Sequence, residues 1–271
     1  MTSWARVPID DPRLAGLSQL PRSAAARTES IVIEGELALR RALEAGHRAT
    51  LVVATPACAD RLGELATTAL AAIVDAAALS QLVGYEFHRG CIALVPRPQD
   101  ASDAWRHAVA AVLARPHGRI VALDRIADAE NVGAVIRSAR VLGVDLVLLG
   151  RGCADPWSRR AVRASMGHSL AQPLFANLEL VDVLAVSASA FPGLSWWSTG
   201  SVGETTPLRP WMPPDELPSH LGLVLGNEGD GVAAAVAAGC RRRIGIGTAA
   251  ATDSLNVAAA AAILLWSLAA P

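Results

Sequence analysis

Arg119-Ile-Val-Ala-Leu-Asp124 and Asp145-Leu-Val-Leu-Leu149 are two apolar runs joined by a segment in which Val132, Val135, Ile136, Ala139 and Leu142 recur at helical spacing. Runs this apolar read as strands buried on both faces, and the spacing between them places the apolar residues on one face of a helix. The stretch is a βαβ unit, with Gly143 placed to end its helix. Parallel strands of this kind imply a sheet covered by helices on both sides. Leu194-Ser-Trp-Trp-Ser-Thr199, Leu221-Gly-Leu-Val-Leu225 and Arg243-Ile-Gly-Ile246 supply further strands, and a last helix from about Ser254 to Leu268 is apolar nearly all round, so it is expected to be buried or to lie in an oligomer interface.

Upstream, residues 31–95 read as a smaller α/β unit. Glu34 to Ala45 has helical character and stops at Gly46, Thr50-Leu-Val-Val-Ala54 is a buried strand, and Cys91-Ile-Ala-Leu-Val95 closes the unit as another. The prolines, charges and polar residues of Pro96-Arg-Pro-Gln-Asp-Ala-Ser-Asp103 interrupt both periodicities and read as a linker. The expected domains are therefore 1–100, a small α/β domain with an N-terminal extension, and 101–271.

Composition removes several chemistries. None of the 24 basic residues is a lysine, which excludes a Walker A lysine, a pyridoxal-phosphate Schiff base and a lysine general base. A formal net charge of −1 argues against coating nucleic acid through bulk electrostatics, so any RNA contact must be local. Cys58, Cys91, Cys153 and Cys240 form no C-x-x-C pair and the histidines no H-x-x-x-H spacing, so reduced thiols and no metal are expected. The N-terminus has no apolar signal core, and the final apolar run falls short of the roughly 20 residues that span a bilayer. A cytoplasmic protein without a membrane partner is expected.

Three segments place polar residues just after a strand, the edge at which open α/β sheets bind ligands. In the first, Asn131-Val-Gly133-Ala-Val-Ile-Arg137, the amide side chain and the Gly133 backbone fall near a helix start, where free N–H groups favour an anion; the bland alternative is a helix-start residue, a packing glycine and a surface arginine. In the second, Leu225-Gly226-Asn227-Glu228-Gly229-Asp230-Gly231, glycines permit close approach of backbone to a ligand, although a simple turn reads the same way. In the third, Thr252-Asp-Ser254-Leu255-Asn256-Val, Asp253 or Ser254 can cap the terminal helix, whereas an amide at Asn256 in an apolar first turn needs partners of its own.

In this order the three segments resemble the signature motifs of the SpoU (SPOUT) family of RNA 2′-O-ribose methyltransferases, over roughly residues 119–268. The stretch Arg163-Ala-Ser165-Met-Gly167 is similar to the family's R-x-S-x-G segment, and Glu34-Gly35 and Arg89-Gly90-Cys-Ile-Ala93 to its small preceding domain. The resemblance implies a parallel-sheet catalytic domain with a C-terminal trefoil knot, a homodimer, and S-adenosylmethionine held in the knot largely by backbone. Carried onto this chain it implies Gly226, Ile244, Ile246 and Leu255, with Thr199, as cofactor positions. It implies Asn131, Arg137, Glu228, Ser254 and Asn256 as the catalytic set, with Arg137 orienting phosphate and hydroxyl. It also makes Arg159, Arg160 and Arg163 an RNA-binding cluster, for which a solvated helical face is the plain alternative. Gly245 and Ile246 stand where the family usually has proline and methionine, and His168 where it has a small residue. The expected substrate is a ribose 2′-hydroxyl of transfer or ribosomal RNA; the alternative is a non-catalytic RNA-binding or ribosome-associated protein that keeps the fold. An unrelated nucleotide-binding enzyme would need a phosphate-binding glycine turn after its first strand, which is missing.

Overall fold

The computed structural model describes residues 4–18, 20, 29–63, 70–98, 103–200, 206–207, 217–247 and 255–268. The chain forms two compact units, residues 1–99 together with 157–171, and residues 100–156 together with 172–271. A single division near residue 100 therefore does not describe the chain, because residues 157–171 belong to the first unit.

In the first unit, β1 (Ala5–Arg6), β2 (Ser30–Glu34), β3 (Leu51–Ala54), β4 (Leu70–Ile73) and β5 (Cys91–Pro96) form a sheet of order β1-β4-β3-β5-β2. β5 runs antiparallel to both β2 and β3, and the other pairs are parallel. The helix read from Glu34 begins later, as α1 (Glu36–Glu44), because Ile31-Val-Ile33 is a β-branched run that pairs with β5 and carries Glu34 into the sheet. Gly35 makes the turn between them at φ +90°, its N–H bonded to the Cys91 carbonyl. Helices α2 (Pro56–Leu62) and α3 (Ala76–Val83) complete the core around Leu14, Leu17, Val53, Leu79 and Ile92.

In the second unit α4 (Ala104–Leu113) leads into β6 (Gly118–Asp124), α5 (Ala129–Val141) and β7 (Leu146–Gly150), the βαβ unit of the opening stretch. Short helices α6 (Arg159–Ala164) and α7 (His168–Ala171) belong to the first unit. The chain then continues through β8 (Leu174–Leu178), α8 (Leu180–Ala190), β9 (Leu194–Thr199), β10 (Thr206–Pro207), β11 (His220–Gly226), α9 (Ala234–Ala237), β12 (Arg242–Gly245) and α10 (Val257–Ser267). The seven strands are all parallel, in the order β10-β12-β9-β11-β6-β7-β8.

One face of this sheet is covered by α4 and α8, whose Trp105, Val109, Leu180 and Leu184 pack with Ile120, Trp196 and Val224. Gly222 is the groove for the Trp196 ring, since a Cβ there would lie 2.3 Å from it. α10 packs against α5 and β11. It buries Val257, Ala261, Leu264 and Leu265 but leaves Ile263 42% and Trp266 46% exposed, and Val141 at the end of α5 is 69% exposed. No helix among the described residues is long and apolar enough to cross a membrane. Residues 201–205, 208–216 and 248–254 lie outside the described residues, and with them Asp253 and Ser254, the latter expected to shape the C-terminal knot.

Candidate active site

β6 and β11 are neighbours in register, with Gly226 opposite Asp124, so the loops that follow them leave the same edge of the sheet side by side. The loop after β6 runs into α5, and the N-cap of that helix is Asp128, which accepts from the amides of Glu130 and Asn131. Asn131 is therefore not a capping residue, and its side chain is available elsewhere.

The loop after β11 is held shut at its base. Asn227 accepts from the Gly229 amide at 2.7 Å, donates to the Arg125 carbonyl at 2.9 Å, and takes the Gly231 amide on its own carbonyl at 2.9 Å. A Cβ on Gly226 would lie 2.2 Å from the backbone of Gly231 and Val232, so the glycine expected to approach a cofactor is first of all the place where the loop folds back on its strand. Arg125, at φ +56°, reaches the Gly231 carbonyl at 3.3 Å and lies 3.6 Å from the Asp230 carboxylate. Neither Arg125 nor Asn227 was singled out from the sequence. The only signal of the brace is the pairing itself, which joins residues about a hundred positions apart.

Glu228 at the tip of this loop meets the other two motifs. Asn131 Nδ2 donates to Glu228 Oε1, and Asn256 Nδ2 donates to Asn131 Oδ1 at 3.0 Å and lies 3.5 Å from Glu228 Oε1. Asn256 itself is the N-cap of α10, its Oδ1 accepting from the amides of Ala258 at 2.9 Å and Ala259 at 3.4 Å. The need for partners inferred for this amide is met at both ends, and the cap assigned to Asp253 or Ser254 belongs to Asn256. Arg137 is exposed on α5 and makes no hydrogen bond or ion pair with the described residues. Cys153 also reaches this edge, its thiol on the Leu123 carbonyl at 3.2 Å, but burial pushes it up to about 11, which keeps it protonated and without nucleophilic character near neutrality.

The expected cofactor positions gather at the same edge. Thr199 and Ile244 are opposite each other on β9 and β12, and the Ile244 carbonyl accepts from the Gly200 amide at 3.1 Å, so this carbonyl is engaged within the fold. The first backbone beyond that ladder is Ile246-Gly247. Ile246 is half-buried and Leu255, adjoining the α10 cap, is 41% exposed. Backbone groups and aliphatic side chains beside one carboxylate suit an adenosyl ligand with a cationic centre. Among the described residues no group of three His, Cys, Asp or Glu could hold a metal ion.

Of the proposed RNA-binding arginines, Arg159 points inward within the first unit. Its Nε donates to Glu34, whose side chain is only 4% exposed and also accepts from Tyr85 Oη at 2.8 Å, and its guanidinium lies 4.5 Å from the Tyr85 ring centre. A charge held by a buried carboxylate and an aromatic face is not part of a surface patch, so Arg159 is corrected to a structural role. Arg160 and Arg163 remain exposed. The segment that carries them is fastened further by Arg41 Nη1 on the Met166 carbonyl and His47 Nε2 at the Leu170 carbonyl, both 2.8 Å. Gly167, at φ +84°, sits where a Cβ would come within 2.8 Å of the Ala38 backbone.

The SpoU rRNA methylase family matches residues 118–266. A Mycobacterium tuberculosis protein described as an uncharacterized tRNA/rRNA methyltransferase is 31% identical over 273 residues, 95% of this chain and 88% of its own. The 23S rRNA (guanosine(2553)-2′-O)-methyltransferase RlmP of Bacillus subtilis is 32% identical over 154 residues, 55% of this chain and 57% of its own. Among solved structures, one described as an RNA 2′-O ribose methyltransferase superposes with a TM-score of 0.74 at 25% identity, over 97% of this chain and 98% of the other. The AdoMet-bound rRNA methyltransferase of Sinorhizobium meliloti shares the fold, with a TM-score of 0.77 at 22% identity over 97% of each chain. Motifs, sheet order and relatives agree: the chain belongs to the SpoU rRNA methylase family.

Proposed function

We propose that this protein is an S-adenosylmethionine-dependent RNA methyltransferase that modifies a ribose 2′-hydroxyl. The observation that carries the reading is the hydrogen-bonded cluster Asn131–Glu228–Asn256, in which three motifs far apart in sequence meet at the ligand-binding edge of one parallel sheet. When bound, the cofactor supplies an activated methyl group. The chain's own part is to hold a hydroxyl in line for it and to receive a proton, which positioning and acid–base groups do. Arg137, exposed and without a described partner, is suited to an RNA phosphate. The intact cluster favours this reading over a non-catalytic RNA-binding protein, which has no need of it.

The finer assignments rest on the same reading. The first unit, with Arg160 and Arg163, serves as the RNA-holding domain, and the protein works in the cytoplasm, where its four free thiols stay reduced. The exposed apolar residues Val141, Ile263 and Trp266 lie on two helices that pack together, and a second copy of the chain covers them. Ile263→Asp is expected to yield monomers by sedimentation; an unchanged dimer would refute this interface.

The test of function is calorimetric titration with S-adenosylmethionine, followed by transfer of labelled methyl groups to total RNA and nucleoside analysis. One site per chain and labelled 2′-O-methylnucleosides, both lost methylation and retained binding in Arg137→Ala, are expected. A folded protein that binds no cofactor with or without RNA would overturn the reading. A substitution at Gly226 would not report on cofactor binding, because a new side chain would meet Gly231 before it met any ligand.

A further inference from the structure

The hydrogen bonds around Glu228 have a direction, and one residue sets it. Asn256 Oδ1 is the acceptor that caps α10, so Nδ2 is the end of its amide turned toward the cluster. An amide nitrogen only donates, so Asn131 Oδ1 must accept from it, and this turns Asn131 Nδ2 toward Glu228 Oε1. Every bond in the cluster thus delivers a donor toward Glu228, and a proton on Oε1 would face donors instead of acceptors. Oε2 makes no hydrogen bond or ion pair with the described residues, and the side chain is exposed. The relay ends in one open acceptor.

We infer that Glu228 receives the proton of the ribose hydroxyl, at Oε2, and that the helix cap made by Asn256 keeps its partner oxygen an acceptor. This rests on the methyltransferase reading and deepens it. The hydroxyl oxygen forms the bond to the methyl carbon as the cofactor's carbon–sulfur bond breaks, and the displaced O–H proton goes to Oε2 and then to solvent. Arginine, which does not give up its proton in proteins, is left to bind phosphate.

Three variants test it. Glu228→Gln keeps Oε1 as an acceptor for both asparagines but replaces the open oxygen by a nitrogen donor. Its unfolding midpoint should match the wild type while its single-turnover methylation rate falls by at least about 100-fold, the usual weight of a positioned base. Asn256→Asp still caps α10 but sets a carboxylate against Asn131 Oδ1 and Glu228, so its midpoint should fall. Asn256→Asp/Glu228→Gln restores a donor facing an acceptor, and should recover the midpoint but not the rate. An active wild type matched within about threefold by Glu228→Gln would overturn the proton-acceptor role alone, because general bases contribute far more than that. A double variant no more stable than Asn256→Asp would overturn the directed relay. A folded wild type that methylates no RNA would overturn both this inference and the reading beneath it.

Discussion

Arg159→Ala separates a structural arginine from an RNA-binding one. In the wild type its guanidinium, 23% exposed, satisfies Glu34, 4% exposed, deep in the first unit. Removing one partner of a buried pair leaves an uncompensated charge and costs about 3–5 kcal/mol. The Tyr85 hydroxyl still donates to Glu34 at 2.8 Å and Arg89 stands 3.7 Å away, half exposed, so the loss should fall near the lower end, about 3 kcal/mol. At a urea dependence of roughly 1–3 kcal/mol per molar this lowers the midpoint of the first unit by about 1–3 M. Tyr85 is the chain's single tyrosine, so isotope-labelled tyrosine gives one resonance that reports this site. Arg160→Ala should do the reverse, leaving the midpoint unchanged and reducing the salt dependence of RNA binding by roughly 0.7–0.9 in log–log slope, the value of one phosphate contact. If Arg159→Ala kept the wild-type midpoint and instead lowered that slope, the assignment of Arg159 to the interior would be refuted.

Three further outcomes are expected. Arg119 Nε donates to the Leu268 carbonyl at the end of α10 and Nη1 reaches the Gly118, Pro218 and Ser219 carbonyls at 2.9–3.2 Å, so Arg119→Met should cost about 2–4 kcal/mol and speed hydrogen exchange at the end of α10; unchanged exchange there would contradict the clamp. Gly222→Ala should destabilise by about 1–3 kcal/mol or more by displacing the Trp196 ring, visible in tryptophan fluorescence and thermal unfolding; a silent variant would show that β9 yields freely. Burial first, then the charge of Glu34 and its hydrogen bond, push the Tyr85 phenol above its ordinary 10.0. Above that pH the unfolded chain loses this proton while the folded chain keeps it, so stability should fall as pH rises past 10, and Tyr85→Phe should flatten the fall in alkaline urea titrations.

The periodic elements were legible in the sequence because burial writes itself into local pattern. The strands at Arg119–Asp124, Leu194–Thr199 and Leu221–Leu225 and the helix between Asp124 and Asp145 lie within a residue or a few of where hydrophobic spacing put them. Ser30–Glu34 was not legible as a strand, since its apolar run flows into a helical pattern and only pairing with β5 and the turn at Gly35 separate the two. The candidate site was legible as motifs and not as chemistry. Asn131, Glu228 and Asn256 could be named from sequence, but which of them caps a helix, and so which way each amide points, depends on partners 28 to 125 residues distant. Arg159 shows the same limit: a run of arginines looks like a charged face until the fold sets one of them against a buried carboxylate. Local spacing determines which face of an element is apolar, because the helix and strand repeats are properties of the chain itself. Whether a polar side chain is a ligand, a cap or half of an ion pair is decided by what the tertiary structure brings within about 3 Å of it, the reach of a hydrogen bond.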